Sequence, residues 1–363
     1  MAMEAMKKKG LFPGESSQAL AYDPVLSEQG VFFDAEGMAH FTFQAGEETN
    51  SFVFSTLGGE EFPLQREKDG LWRGTFRLPE GFCYLFLRMN GTEAITPWLP
   101  IGYGACRPMN YVEVPAPDGA FYGEREVPHG RIERFFYPST VSGKTESALI
   151  YLPPGFDSNQ KYPVLYLQHG HGENETGWVW QGRMNRIADN LLSEGNMVPM
   201  LIVMGCGMVQ VKGRTNTSAY PRVLLHDLLP YVEAHYPVLT DREHRAMAGL
   251  SMGSIHTSMT VLPHPELFAY AGLFSGFLRH LWLKEQPHLK ALEDPAALRK
   301  NYRVFFRAMG EEDEYLKEFL LDDEILKEKQ VDSFERKLYP GAHEWQVWRK
   351  CLRDFLPKLF REE

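Results

Sequence analysis

The chain of 363 residues, 44% hydrophobic and 13% aromatic, is longer than one hydrophobic core usually serves, so two soluble globular domains are expected and disorder is excluded except at the ends. Its 38 Lys and Arg against 48 Asp and Glu leave a net charge of −10, which speaks against nucleic acid or an anionic membrane as partner and for a small neutral or apolar ligand. Cys83, Cys106, Cys206 and Cys351 are scattered without C-x-x-C spacing, which excludes a dense disulfide framework and predicts free, mostly buried thiols.

In chain order, Lys7-Lys8-Lys9 is followed by Gly10-Leu11-Phe12-Pro13-Gly14-Glu15, where a secretion signal would need an unbroken apolar stretch. No run is long enough to span a membrane, so a cytoplasmic location is expected and residues 1–25 are read as an N-terminal extension. From 31 to 114 short apolar segments, Phe41-Thr42-Phe43, Phe52-Val53-Phe54, 71–76 and 84–89, are separated by Gly, Pro and charged turns. That spacing predicts a small all-β sandwich over 26–115. Trp72 and Trp98 are either its core or a glycan-binding face. Pro115-Ala116-Pro117-Asp118-Gly119 opens a linker over 116–128.

From 129 to 363 the pattern changes to apolar runs alternating with amphipathic stretches. Val164-Leu165-Tyr166-Leu167, Met200-Leu201-Ile202-Val203-Met204, Arg245-Ala246-Met247-Ala248 and Val304-Phe305-Phe306 read as strands covered on both faces, and 183–194, 223–235 and 254–262 as helices. An α/β domain with a mostly parallel central sheet follows, with its active site at the carboxyl ends of the strands.

Gly249-Leu250-Ser251-Met252-Gly253 stands at such an end, between a strand and a helix. Small residues two positions either side of a serine let the backbone turn sharply enough to hold its hydroxyl out into a cleft. A serine hydroxyl needs a base within hydrogen-bond reach and a third group to orient that base. Asp313, in the loop after the strand ending at Met309, and His343, in Gly341-Ala342-His343-Glu344-Trp345 after a last strand over 334–339, supply them in the order Ser, acid, His. The oxyanion hole is expected from the backbone N–H groups of Met252 and of His171, in the tight turn His169-Gly170-His171-Gly172. His169 and His171 lack a third ligand at zinc spacing, and there is no HExxH, phosphate-binding loop or dinucleotide fingerprint, so no metal and no cofactor are expected. His169, Trp178, Trp180, Gln181 and Trp345 are candidates for substrate contact near the cleft.

Three segments, Lys161-Tyr162-Pro163-Val164-Leu165-Tyr166-Leu167-Gln168-His169-Gly170, Arg245 through Gly253, and His264-Pro265-Glu266-Leu267-Phe268-Ala269-Tyr270, together resemble the Putative esterase family of α/β hydrolases. That family includes feruloyl esterases, enterochelin esterases, S-formylglutathione hydrolase and mycolyltransferases. The segment 341–349, with His343, Trp345, Trp348 and Arg349, is similar to the histidine loop of its feruloyl-esterase-like members. The resemblance spans about 128–360 and implies a serine carboxylic ester hydrolase acting on feruloyl or acetyl esters of plant-derived saccharides. More loosely, the N-terminal part resembles an immunoglobulin-like module related to glycogen-binding modules. The family often has glycine where this chain has Ser254 and His171, which implies altered packing behind the nucleophile and a changed acyl pocket. A siderophore trilactone esterase, an acyltransferase with the same triad, and a carbohydrate-binding protein with an inert hydrolase half stay open, as does a homo-oligomer.

Overall fold

The computed structural model describes residues 28–361; the extension read over 1–25 lies outside them. The chain divides between Ala120 and Phe121 into two compact units, a division that falls inside the segment 116–128.

The first unit is all β. One antiparallel sheet runs Gly30–Phe33, Ala39–Gln44, Leu71–Phe76, Gln65–Arg66, and the other runs Glu61–Pro63, Phe52–Ser55, Gly81–Met89, Arg107–Val114, Ile101–Gly104, with Thr92–Ala94 paired to Gly81–Met89. Period-two alternation makes the core: Ala39, Phe41 and Phe43 point inward while His40 and Gln44 are exposed. Phe41 meets Phe54 of the other sheet at a ring separation of 5.2 Å, and Phe43 meets Phe52 at 5.5 Å. Trp72 is buried in this cluster and Trp98 packs half-buried against it. Both indoles therefore serve the core, and the glycan-face alternative does not hold for Trp72.

The second unit is built on one eight-stranded sheet: β1 (Arg131–Ser139), β2 (Lys144–Leu152), β3 (Val164–Gln168), β4 (Leu201–Gly205), β5 (Arg245–Leu250), β6 (Tyr270–Phe274), β7 (Val304–Gly310) and β8 (Glu335–Tyr339). Their spatial order is 1-2-4-3-5-6-7-8. The β1–β2 and β2–β4 pairings are antiparallel and every pairing from β4 to β8 is parallel. Every residue of β3, β4, β5 and β6 is buried, as helices on both faces require, and this is why those strands read as unbroken apolar runs. The edge strand β8 instead exposes Glu335, Arg336 and Lys337, charges that discourage pairing with another chain.

Helices Met184–Ser193, Met252–Val261, Leu316–Glu328 and Trp345–Phe355 cover the sheet, with a continuous helical stretch over 220–235 that loosens to a π turn at Leu224–Leu228. The helix expected over 254–262 begins two residues earlier, directly after Ser251. The segment 341–349, read as a loop, becomes helical from Trp345, because Trp345, Trp348, Arg349 and Leu352 recur at helical spacing on the buried side. No helix among the described residues is long and apolar enough to cross a membrane.

Strand order locates the site. The chain leaves β3 toward β4 on one side and leaves β5 toward β6 on the other, so the carboxyl ends of these adjacent strands open a crevice at a topological switch point. Ser251 follows β5 directly, and the His169-Gly170-His171-Gly172 turn follows β3 directly.

Candidate active site

Ser251 has φ 51° and ψ −118°, a conformation an L-residue adopts only when its surroundings impose it. Its N–H donates to the Phe274 carbonyl at 2.9 Å. The flanking glycines are sterically required. A methyl group on Gly249 would lie 2.4 Å from the Gly253 carbonyl oxygen, and one on Gly253 would lie 2.6 Å from the Gln168 carbonyl oxygen. Ser254 donates its hydroxyl to the Ser251 carbonyl at 2.6 Å and accepts the Phe277 N–H at 3.0 Å. It ties the turn to the loop after β6.

Asp313 and His343 come from the loops after β7 and β8. Those loops are laced together by backbone bonds, Glu311 N–H to the Tyr339 carbonyl at 2.8 Å and Glu312 N–H to the Gly341 carbonyl at 3.0 Å. Gly310 lets them touch, since a methyl group there would lie 2.3 Å from the Gly341 oxygen. The Ser251 hydroxyl donates to His343 Nε2 at 2.9 Å, and His343 Nδ1–H donates to Asp313 Oδ2 at 2.9 Å, the tautomer being assigned from this network. His343 thus stands within hydrogen-bond reach of both Ser251 and Asp313.

The carboxylate is further held by residues that sequence reasoning did not single out. Ser275, directly after β6, donates its hydroxyl to Asp313 Oδ2 at 2.7 Å, and Tyr315 N–H donates to Oδ1 at 2.9 Å. Trp348 Nε1 donates to Ser275 Oγ at 2.8 Å. Burial pushes the Asp313 carboxyl up, but the hydrogen bond and charge of His343, with the Tyr315 N–H and the Ser275 hydroxyl, outweigh it and hold the group below its ordinary range. The imidazole of His343 is flanked edge-on by Tyr315 and Trp348, with ring separations of 5.2 and 5.1 Å. Its orientation is set by these two ring contacts and at Nδ1.

Met252 opens its helix directly after Ser251, so its amide has no intrahelical acceptor. His171 is exposed, on the turn that also approaches Ser251: a methyl group on the neighbouring Gly170 would lie 3.6 Å from Ser251 Cβ. His169, by contrast, is buried and fully used. Its Nδ1–H donates to the Gly170 carbonyl at 2.7 Å and its Nε2 accepts the Gly207 N–H at 2.8 Å. Burial pushes its imidazole down to about 4, so it is a neutral brace for the loop. Among the described residues no group of three His, Cys, Asp or Glu side chains is arranged to hold a metal ion.

The expected substrate contacts need correction. Trp178 is 1% exposed, donates Nε1–H to the Gln168 carbonyl at 3.0 Å and packs edge-to-face on Trp345 at 5.2 Å. Trp345 is likewise buried and packs on Trp348. Gln181 is buried, and its carbonyl accepts the Arg349 guanidinium, Nε at 2.9 Å. These three, with His169, form the floor beneath the site, because full burial leaves them no face for a ligand. Trp180 alone of the candidates is half-buried. A tryptophan that does face solvent is Trp282, 73% exposed, in the loop after β6. Nothing in its local sequence marked it, since exposure of a single tryptophan has no periodic signature.

A family model described as Putative esterase matches residues 139–359. The endo-1,4-beta-xylanase/feruloyl esterase of Xylanibacter ruminicola is 33% identical over 342 residues, which is 90% of this chain and 45% of that protein; the chain thus spans less than half the length of this relative. A mutant of the feruloyl esterase module from Clostridium thermocellum, solved in complex with sinapinate, superposes with a TM-score of 0.59 at 25% identity, covering 68% of this chain and 93% of that one. Ferric enterobactin esterase from Salmonella typhimurium superposes with a TM-score of 0.56 at 15% identity, covering 91% and 96%, a likeness of fold.

Proposed function

The chain belongs to the Putative esterase family of α/β hydrolases, and on that premise we propose that it is a carboxylic ester hydrolase with Ser251 as its nucleophile, His343 its general base and Asp313 the group that orients His343. The observation that carries this reading is the unbroken relay from Ser251 Oγ through both nitrogens of His343 to Asp313 Oδ2, each span 2.9 Å. Ser251 Oγ attacks the ester carbonyl as His343 Nε2 takes its proton. Negative charge building on the carbonyl oxygen is met by the amides of Met252 and His171, fixed before the reaction begins and therefore free of reorganisation cost. Collapse of the tetrahedral intermediate expels the alcohol with the proton from His343. Water then attacks the acyl-serine with the same base and releases the acid. Asp313 stays ionised throughout, which the donors around it favour and which stabilises the imidazolium.

The substrate we propose is a feruloyl or acetyl ester of a plant-derived saccharide, and the all-β unit we read as immunoglobulin-like. Support for a saccharide comes from the loop carrying Trp282. Gln286 cross-braces it, its Oε1 accepting the His280 N–H and its Nε2 donating to the His280 carbonyl, both at 2.8 Å, while His280 meets the Ser218 hydroxyl at 3.1 Å. A rigid turn with an exposed indole at the carboxyl end of the sheet is suited to stacking on a sugar or phenolic ring.

Trp282→Ala should raise KM for a feruloylated oligosaccharide by about tenfold, the loss expected of one stacking contact of about 1.4 kcal/mol, and leave methyl ferulate nearly unchanged. The test is a panel of methyl ferulate, feruloylated oligosaccharide, nitrophenyl acetate and a catecholate trilactone. Preferred turnover of the trilactone would overturn the saccharide reading, and an acylated saccharide product formed with a free acceptor present would make the enzyme a transferase.

A further inference from the structure

Glu173 is only 7% exposed, yet among the described residues no cation pairs with it. Its Oε2 accepts the Gly170 N–H at 3.0 Å, in the turn between His169 and His171. That amide is buried, and without the carboxyl it would lack an acceptor. Gly170 is pressed against the nucleophile turn: a methyl group there would lie 2.6 Å from Leu250 Cδ1 as well as beside Ser251 Cβ. On its other side the carboxyl meets the start of the helix that follows His343. A methyl group on Gly177 would lie 3.5 Å from Glu173 Oε2 and 3.6 Å from Trp345 Cζ2, and Trp345 carries Trp348, which flanks the His343 ring. The carboxyl thus lies where the turn after β3 and the segment after β8 come together.

We propose that Glu173 is a positioning residue that fixes the peptide plane at Gly170, and through it the His171 amide, at the distance from Ser251 that an oxyanion needs. The proposal rests on the reading of His171 as an oxyanion donor. Burial pushes the Glu173 carboxyl up to about 8, so near neutrality it accepts the Gly170 N–H without placing a negative charge beside the developing oxyanion. A glutamine has an acceptor oxygen at the same reach; a methionine fills the space but accepts nothing; an aspartate keeps the acid but falls one methylene short.

The full chain carrying each substitution is assayed on methyl ferulate, with rates normalised to Ser251 sites titrated by a fluorophosphonate. Glu173→Met should lower kcat by about 100-fold, the scale of a misplacement of about 1 Å at a reacting group, with KM within about threefold of the parent. Glu173→Gln should stay within about fivefold in kcat. Glu173→Asp should fall by about tenfold, which keeps the test decisive if the methionine variant yields no folded sites. A kcat within about threefold of the parent for the Met variant, or for the Asp variant where Met does not fold, overturns the proposal, as does a Gln variant that falls as far as Met. Absence of any titratable Ser251 in the unsubstituted protein would overturn the parent reading instead, a distinct outcome.

Discussion

Ser251→Ala should lower kcat for methyl ferulate by about 10⁶, leaving only the roughly 10³–10⁴ advantage over water that binding and an oxyanion hole supply without a nucleophile. The loss is large because the hydroxyl is the one group that forms the covalent intermediate, and because His343 without it has no proton to accept at the right place. Folding should be unaffected. Alanine carries the same Cβ as serine, so the backbone at φ 51° bears the same strain, and the lost hydroxyl bond leaves only His343 without its partner, with a side chain partly open to water. A thermal midpoint within a few degrees of the parent together with lost turnover is the expected pair of results. Retained turnover would remove Ser251 from the mechanism.

Asp313→Asn should lower kcat by about 10⁴, and the local donors explain why the amide cannot mimic the acid. Oδ1 accepts the Tyr315 N–H, while Oδ2 accepts both the Ser275 hydroxyl and His343 Nδ1–H. An asparagine has a single acceptor oxygen. If that oxygen takes the Tyr315 N–H, its NH₂ faces His343 Nδ1 and forces the proton to Nε2, where it blocks acceptance from Ser251. If it faces His343, its NH₂ collides with the Tyr315 donor. The folded carboxyl is held below its ordinary range, so it contributes stability above the unfolded-state value and loses that contribution as pH falls through the lower folded value. Asp313→Asn should therefore flatten the acid-side decline in thermal midpoint as well as abolish turnover. An asparagine variant within tenfold of the parent kcat would assign the orienting role to another group.

The parts of this site that could be read from the sequence are those with local physical causes. Gly249 and Gly253 announce a turn because backbone oxygens stand where their side chains would be. The runs of β3, β4 and β5 announce buried parallel strands because both their faces are covered. Asp313 could be placed because it follows an apolar strand by a few residues, and His343 because it follows a segment, 334–339, that alternates as a last strand does.

What stayed hidden depends on contacts distant in the chain. Ser275 is tied to Asp313 and Trp348, and no short motif encodes that triangle. Trp178 and Trp345 are aromatic and close to the serine, but whether an indole faces a ligand or a neighbouring indole is decided by packing across separate segments. They pack on each other. The antiparallel pair β1–β2 carries a weak signal because the alternation of β2 is broken: Lys144–Leu152 begins exposed and ends with five buried residues in succession, where it pairs with β4 inside the sheet.

The most direct measurement is stoichiometric labelling with a fluorophosphonate followed by mass spectrometry of the modified peptide. The account predicts one adduct per chain, on Ser251, formed in step with loss of ester hydrolysis and suppressed when His343 is replaced by alanine. Complete loss of hydrolysis with the adduct on another residue, or hydrolysis that continues after Ser251 is fully modified, would contradict it.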